Sequence, residues 1–145
     1  MAGFLSKWAC VSELGLEIVS HTILLLGKTV LQPDIAVIKP GITTEYLEEL
    51  PELVVEICNS AQSYDLGPKL AAYRSFGLRH YITVLLREQR VEWRVLSGSR
   101  YRALTASKDG MLRSVNFPGL WLDTNALFPP DRQRLFGAIH SGLAQ

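Results

Sequence analysis

The stretch Leu53-Val54-Val55-Glu56-Ile57-Cys58 decides the fold. It is a nearly continuous apolar run, rich in β-branched residues and flanked by turn-forming residues. Such a run is typical of a strand buried on both faces at the centre of a sheet. The sequence therefore predicts a central strand here, and the other segments can be placed around it.

Glu56 is the residue of this strand that needs a physical explanation. Burying an unpaired carboxylate is expensive, so Glu56 needs a proton, a cationic partner or a metal ion. Because side chains alternate along a strand, Val54, Glu56 and Cys58 share one face. An ion pair with Arg74 or Arg79 is the simplest alternative to a metal.

The flanking segments alternate between helical and strand periodicity. We predict a helix over residues 3–13, strands over residues 16–19, 22–26 and 29–38, and a loop or short acidic turn over residues 39–51. Further elements follow the central strand: a helix from Asp65 to about Phe76, a strand over residues 81–86, a hairpin of residues 90–96 and 101–105, an apolar segment over residues 117–122, and a helix capped by Asp131 that ends near Ser141. This order predicts an α/β fold with a mixed sheet flanked by helices, and an added C-terminal hairpin and helix.

Composition limits the function classes only loosely. The chain has 145 residues, of which 48% are hydrophobic and 20% charged, and a formal net charge of +1. These values suit one globular domain over residues 1–145, and they neither indicate nor exclude nucleic-acid binding. Cys10 and Cys58 match no zinc or disulfide pattern, and charged residues interrupt the apolar N-terminus. We expect a cytoplasmic protein that does not enter a membrane.

Two further residues are candidates for chemistry beside Glu56. Asp34 follows Pro33, which breaks a predicted strand next to the one that carries Glu56. If these strands pair, the two carboxylates repel each other by roughly 4 kcal/mol, a penalty that a divalent cation would reverse. Oxygen ligands favour Mg²⁺ or Mn²⁺ over zinc. Lys69, early in the predicted helix, is a candidate to orient a water or neutralise a phosphate, although a solvated helix lysine is the simpler interpretation.

Four ordered segments resemble the Uma-type restriction endonuclease family of the PD-(D/E)XK nuclease superfamily. They are Gln32-Pro33-Asp34-Ile35-Ala36-Val37, Leu53-Val54-Val55-Glu56-Ile57, Tyr64-Asp65-Leu66-Gly67-Pro68-Lys69-Leu70 with Tyr73, and Phe117-Pro118-Gly119-Leu120-Trp121-Leu122-Asp123. The resemblance covers roughly residues 15–128. It implies a restriction-endonuclease-like core and a Mg²⁺-dependent endonuclease that acts on DNA, usually as a homodimer.

The resemblance also assigns roles to individual residues. Asp34 and Glu56 would bind the metal, helped by the backbone carbonyl of Ile57. The superfamily's lysine usually stands two residues after the acidic residue, where this chain has Cys58, so the resemblance assigns that role to Lys69 on the following helix. The N-terminus is expected to be short relative to the family, with Glu13 or Glu17 replacing an acidic residue of the missing hairpin.

Several other residues have two interpretations. Gln62 and Tyr73 are candidates to line the site, but an inert loop position and a core position are the simpler interpretations. The densest basic region could contact DNA phosphates, or could be an ordinary solvated sheet face; it comprises Arg79, Arg87, Arg90, Arg94, Arg100 and Arg102. A catalytically inactive nucleic-acid-binding or oligomeric module with the same fold is the alternative to an enzyme.

Overall fold

The computed structural model describes residues 1–41, 45–59 and 66–145, with the side chain of residue 66 excepted. Three α-helices and eleven strands lie in this part of the chain. Their order is α1 (Ala2–Ser12), β1 (Glu17–Ser20), β2 (Ile23–Leu26), β3 (Thr29–Leu31), β4 (Ile35–Ile38), β5 (Tyr46–Leu47), β6 (Leu53–Cys58), α2 (Leu66–Phe76), β7 (His80–Leu85), β8 (Arg90–Ser97), β9 (Arg100–Ala103), β10 (Met111–Arg113), β11 (Trp121–Asp123) and α3 (Arg132–Leu143).

The contacts divide the chain into two compact units. One unit is Leu16–Ala103, and the other combines Met1–Gly15 with Leu104–Gln145. Each unit has its own secondary structure and its own buried residues. That residues 1–145 act as one domain stays a prediction.

A six-stranded sheet forms the frame of the unit Leu16–Ala103. Its order is β1-β4-β6-β7-β8-β9, and the strand that carries Glu56 is therefore an interior strand. Only β6 and β7 run parallel, and α2 connects them, as expected for a crossover between parallel neighbours. The remaining neighbours are antiparallel. The predicted α/β fold with a mixed sheet is confirmed.

A second, three-stranded sheet of order β3-β2-β5 confirms the break at Pro33 and corrects the loop or short turn predicted over residues 39–51. The strand predicted over residues 29–38 is divided at Pro33, so that β3 and β4 belong to different sheets; proline cannot donate a ladder hydrogen bond. Residues 39–51 were predicted as a loop, yet β5 pairs there with β2 and buries Leu47. A two-residue strand is too short to produce a readable alternation.

The hydrophobic core of this unit lies on the face of the sheet that carries Val54 and Tyr81. The second sheet contributes Leu24 and Leu47, and α2 contributes Tyr73, with Leu70 and Phe76 partly buried around it. The helix ends at Gly77, whose φ of 86° is a left-handed conformation that glycine adopts without strain. Packing against this core fixes the face that α2 turns toward β6.

The unit of Met1–Gly15 and Leu104–Gln145 contains α1, the β10–β11 hairpin and α3. The indole of Trp8 is buried and donates to the carbonyl of Pro118 at 2.9 Å. Asp131 accepts a hydrogen bond from the Arg134 amide, which confirms the predicted cap of α3. Across the described ranges, no helix is long and apolar enough to cross a membrane.

Candidate active site

The register of the sheet brings Asp34 and Glu56 together. Ile35 of β4 pairs with Val55 of β6 in an antiparallel ladder, so the next position outward places Asp34 opposite Glu56. Side chains at directly opposite positions point to the same face, with Cβ atoms about 5 Å apart. Two carboxylates that are 22 residues apart in sequence therefore share one site.

Asp34 is fixed by the backbone of the neighbouring strand. Its Oδ2 accepts a hydrogen bond of 2.7 Å from the Ile57 amide, and thus replaces a ladder acceptor just beyond the end of β4. On the other side, the register of β1 continues to His21, whose Nδ1 lies 3.9 Å from Asp34 Oδ1. The Asp34 carboxylate is thus held between two strands rather than extending freely from a loop.

Helix α2 supplies two partners for Glu56. Lys69 Nζ lies 3.5 Å from Glu56 Oε2, and Tyr73 donates its hydroxyl to Glu56 Oε1 at 3.4 Å. Lys69 and Tyr73 are four residues apart, so they stand on the same face of the helix. Each oxygen of a buried carboxylate thus has one partner from the same helical face.

Burial dominates the electrostatics of Glu56. The residue is only 2% exposed. Loss of hydration and, to a smaller extent, the nearby Asp34 charge raise its pKa from 4.5 to about 7, against the attraction of Lys69. Burial and the neighbouring Glu56 also raise the pKa of Tyr73, which keeps its hydroxyl protonated as a donor. Glu56 therefore exchanges its proton near neutral pH.

The donor set fits a hard divalent cation better than zinc. Among residues 1–41, 45–59 and 66–145, no group of three or more His, Cys, Asp or Glu side chains is arranged to hold a metal ion. Two carboxylates are nevertheless typical of Mg²⁺ sites, because Mg²⁺ keeps several of its waters. A cation placed between Asp34 and Glu56 would also remove the repulsion that raises the Glu56 pKa.

The structure brings Asp34, Glu56 and Lys69 together, and Ile57 contributes its backbone amide, which donates to Asp34. The ligand role of the Ile57 carbonyl stays a prediction. The Ile57 side chain is 41% exposed, whereas the apolar run suggested full burial. Glu56 pairs with Lys69 rather than with Arg74 or Arg79. Asp65 and Gln62 lie outside the described residues.

The structure adds His21 to this site and decides between the two interpretations of Tyr73. No sequence motif indicates a role for His21, and only the β1–β4 register places it beside Asp34. Glu17, the suggested replacement acid, instead faces Ile38 at the other end of that ladder. Tyr73, taken mainly as core, is both buried and bonded to Glu56. A lysine and a tyrosine four residues apart after the acidic strand are the available sequence signal.

Tyr81 has a buried hydroxyl on the same face of the sheet, two residues before Thr83, which pairs with Glu56. This hydroxyl makes no hydrogen bond with the groups that the structure describes. Burial and the charge of Glu56 raise the pKa of Tyr81, so it remains protonated. An orphaned donor of this kind costs about 1–3 kcal/mol.

A family model with the description "Uma2: Putative restriction endonuclease" matches residues 1–125. The chain belongs to the Uma2 family. None of the curated proteins compared with this Uma2 chain is similar to it. It is similar in fold to a crystal structure described as "a putative nuclease belonging to DUF820" from Anabaena variabilis ATCC 29413. That match has a TM-score of 0.64 and 16% sequence identity, and it covers 92% of this chain and 76% of the other. The fold likeness agrees with the predicted restriction-endonuclease-like core.

The Glu56 pKa predicts how stability changes with pH when no metal is present. The folded-state pKa of about 7 exceeds the ordinary 4.5, so folding favours the protonated acid. This stability is fully present below pH 4.5 and is lost as the pH rises through about 7. In urea denaturation with EDTA, the wild type should show a decline of about 3 kcal/mol across this range, and Glu56→Gln should remove it. An identical decline in both proteins would show that Glu56 is not the group with the raised pKa.

The two buried tyrosines predict opposite effects of removing a hydroxyl. Tyr81→Phe removes a buried donor that has no partner among the described groups, so the free energy of unfolding should rise by about 1 kcal/mol. Tyr73→Phe removes the hydrogen bond to Glu56, so it should fall by about 1 kcal/mol. Urea denaturation of both variants checks the pair. A loss of stability in Tyr81→Phe as large as that in Tyr73→Phe would show that the Tyr81 hydroxyl is satisfied.

Proposed function

We propose that this chain is a metal-dependent DNA endonuclease in which Asp34 and Glu56 bind Mg²⁺ or Mn²⁺ and Lys69 assists hydrolysis of a phosphodiester bond. The pair of carboxylates on neighbouring strands, with Lys69 Nζ 3.5 Å from Glu56, carries the proposal. The description of the family supports DNA as the substrate. A cytoplasmic location and a homodimer, which would let two sites address two strands, remain predictions.

A bound Mg²⁺ or Mn²⁺ would activate a water and stabilise the charge that develops on the phosphate. The chain's own residues prepare that site. The Ile57 amide holds Asp34 in place, and Glu56 ionises near neutral pH, where Lys69 favours its charged form. Lys69, whose ammonium lies beside Glu56, would neutralise charge on the phosphate. In the net reaction one water adds and one P–O ester bond breaks, leaving a phosphate monoester and a hydroxyl.

A non-catalytic module is the second candidate, and one observation favours it. Both oxygens of Glu56 already have a partner within the protein, Lys69 at one and Tyr73 at the other. A buried acid satisfied in this way can persist as a structural ion pair without any metal. Metal binding separates the two candidates. The nuclease requires Asp34 and Glu56 to bind a cation together, whereas a purely structural ion pair does not.

Neutral replacements of the two carboxylates test the metal site. Asp34→Asn and Glu56→Gln should each abolish Mg²⁺ and Mn²⁺ binding measured by calorimetry, and lower plasmid nicking at least about 100-fold. Glu52→Gln is a matched control. Glu52 also pairs with a lysine, Lys39 at 3.8 Å, but it lies before β6 rather than at the site.

The control should bind metal and nick plasmid as the wild type does. If the folded wild type binds neither cation, the nuclease proposal is wrong and the non-catalytic module is supported. Metal binding that survives in both Asp34→Asn and Glu56→Gln would place the metal elsewhere in the chain.

Lys69 should affect turnover more than metal binding. Lys69→Met keeps the length of the side chain and removes the charge, so nicking at about pH 8 should fall about 10²- to 10³-fold. Metal affinity at that pH should change only a few-fold, because a bound cation replaces Lys69 as the positive charge that favours ionised Glu56. Lys39→Met, which breaks the comparable pair with Glu52, should leave nicking unchanged. Undiminished nicking by Lys69→Met would remove this lysine from the reaction.

A further inference from the structure

The row of the sheet that contains the candidate site continues to β8. Glu56 pairs with Thr83 of β7, and Thr83 pairs with Glu92 of β8. Directly opposite residues share a face, so Glu92 lies on the face of Glu56, about 10 Å away at two inter-strand spacings. No sequence pattern associates Glu92 with the acidic residues of the site.

Two arginines share the Glu92 carboxylate. Arg90 Nη2 lies 2.7 Å from Glu92 Oε1, and Arg94 Nη2 pairs with Glu92 Oε2. Arg94 Nη1 also lies 3.3 Å from Thr83 Oγ1, so its guanidinium extends back toward the strand beside β6. We call Arg90, Glu92 and Arg94 the β8 clamp. Its net formal charge is +1.

The β8 clamp has the properties of a prepared anion site. A guanidinium has five N–H donors and no acceptor, so the bonds among the described residues leave further donors on both arginines. The side chain of Arg90 is 54% exposed and that of Arg94 22%, which keeps both accessible. Because Glu92 and Thr83 already restrain them, a ligand that binds here loses less side-chain entropy.

We propose that the β8 clamp binds a backbone phosphate of the DNA strand next to the phosphodiester bond that the Asp34–Glu56 site cleaves. This inference rests on the proposed function. Arginine favours phosphate because its planar fork can donate two parallel hydrogen bonds. A DNA segment of a few nucleotides that reaches Glu56 also reaches a clamp about 10 Å away on the same face. The clamp therefore sets the position of the strand and not its sequence.

The arginines of β9 provide a matched control. Arg102 is exposed and pairs with Val95, whereas Arg94 pairs with Ala103. Because β8 side chains alternate, Arg102 lies on the sheet face opposite to Arg94. Arg102→Ala removes the same charge from the neighbouring strand, so a general loss of positive charge is separated from the loss of the clamp.

The test is binding of a short duplex DNA to the full chain in EDTA, measured by fluorescence anisotropy over a range of salt concentrations. Arg90→Ala and Arg94→Ala should each weaken binding, and each should lower the slope of log affinity against log salt by about 1. Arg102→Ala should leave the slope unchanged. Arg94→Lys keeps the charge but cannot bridge Glu92, Thr83 and a phosphate, so it should keep the slope and lose affinity several-fold.

The outcomes separate the clamp from the proposed nuclease. Equal effects of Arg94→Ala and Arg102→Ala on DNA binding would overturn the clamp. The clamp would also be overturned if two folded single variants, Arg90→Ala and Arg94→Lys, both bound DNA with the affinity and salt slope of the wild type. If the wild type still nicks plasmid in those cases, the nuclease proposal stands alone. A wild type that neither binds DNA nor nicks it would overturn both. Far-ultraviolet circular dichroism and thermal melting confirm that each variant is folded.

Discussion

The burial of Glu56 is the constraint on which the site depends. A carboxylate on an interior strand with only 2% exposure loses most of its hydration, and its pKa rises to about 7. The structure compensates this loss with a lysine and a tyrosine from α2. The same helix connects β6 to β7, so the crossover that builds the parallel pair also supplies the partners of the acid.

Asp34 opposes the stabilisation of ionised Glu56 by Lys69 and Tyr73. Its charge raises the Glu56 pKa, while the Ile57 amide keeps Asp34 in place. A fold selected only for stability has no reason to hold two carboxylates in register on one face. Such an arrangement is typical of sites where a cation or a proton is exchanged.

The sheet also explains how Lys69 on the helix can take the role proposed for a lysine at position 58 of the strand. At Cys58, two residues after Glu56, a side chain points to the same face of β6 as the acid. Lys69 reaches that region from above the sheet instead, with its Nζ 3.5 Å from Glu56 Oε2. The proposed hydrolysis requires an ammonium near the carboxylate. A helix that packs on the same face can supply it as well as the strand can.

Part of the fold and of the site could be predicted from the sequence because it depends on local order. The apolar run around Glu56 predicted an interior strand, Pro33 indicated the break before Asp34, and Asp131 marked the start of the last helix. These signals come from hydrophobic periodicity and from residues with restricted backbone chemistry. The two-residue strand β5 and the strand β10 were missed because they are too short for a periodicity to emerge.

The sequence by itself determined which groups are present: a buried acid, a second acid after a strand break, and a lysine and a tyrosine spaced by one helical turn. Only the tertiary structure decided which of them meet. Strand register placed Asp34 opposite Glu56, His21 beside Asp34, and Glu92 in the same row. Register is set by packing between segments that are distant in the chain, and a shift of one residue would turn each of these side chains to the other face.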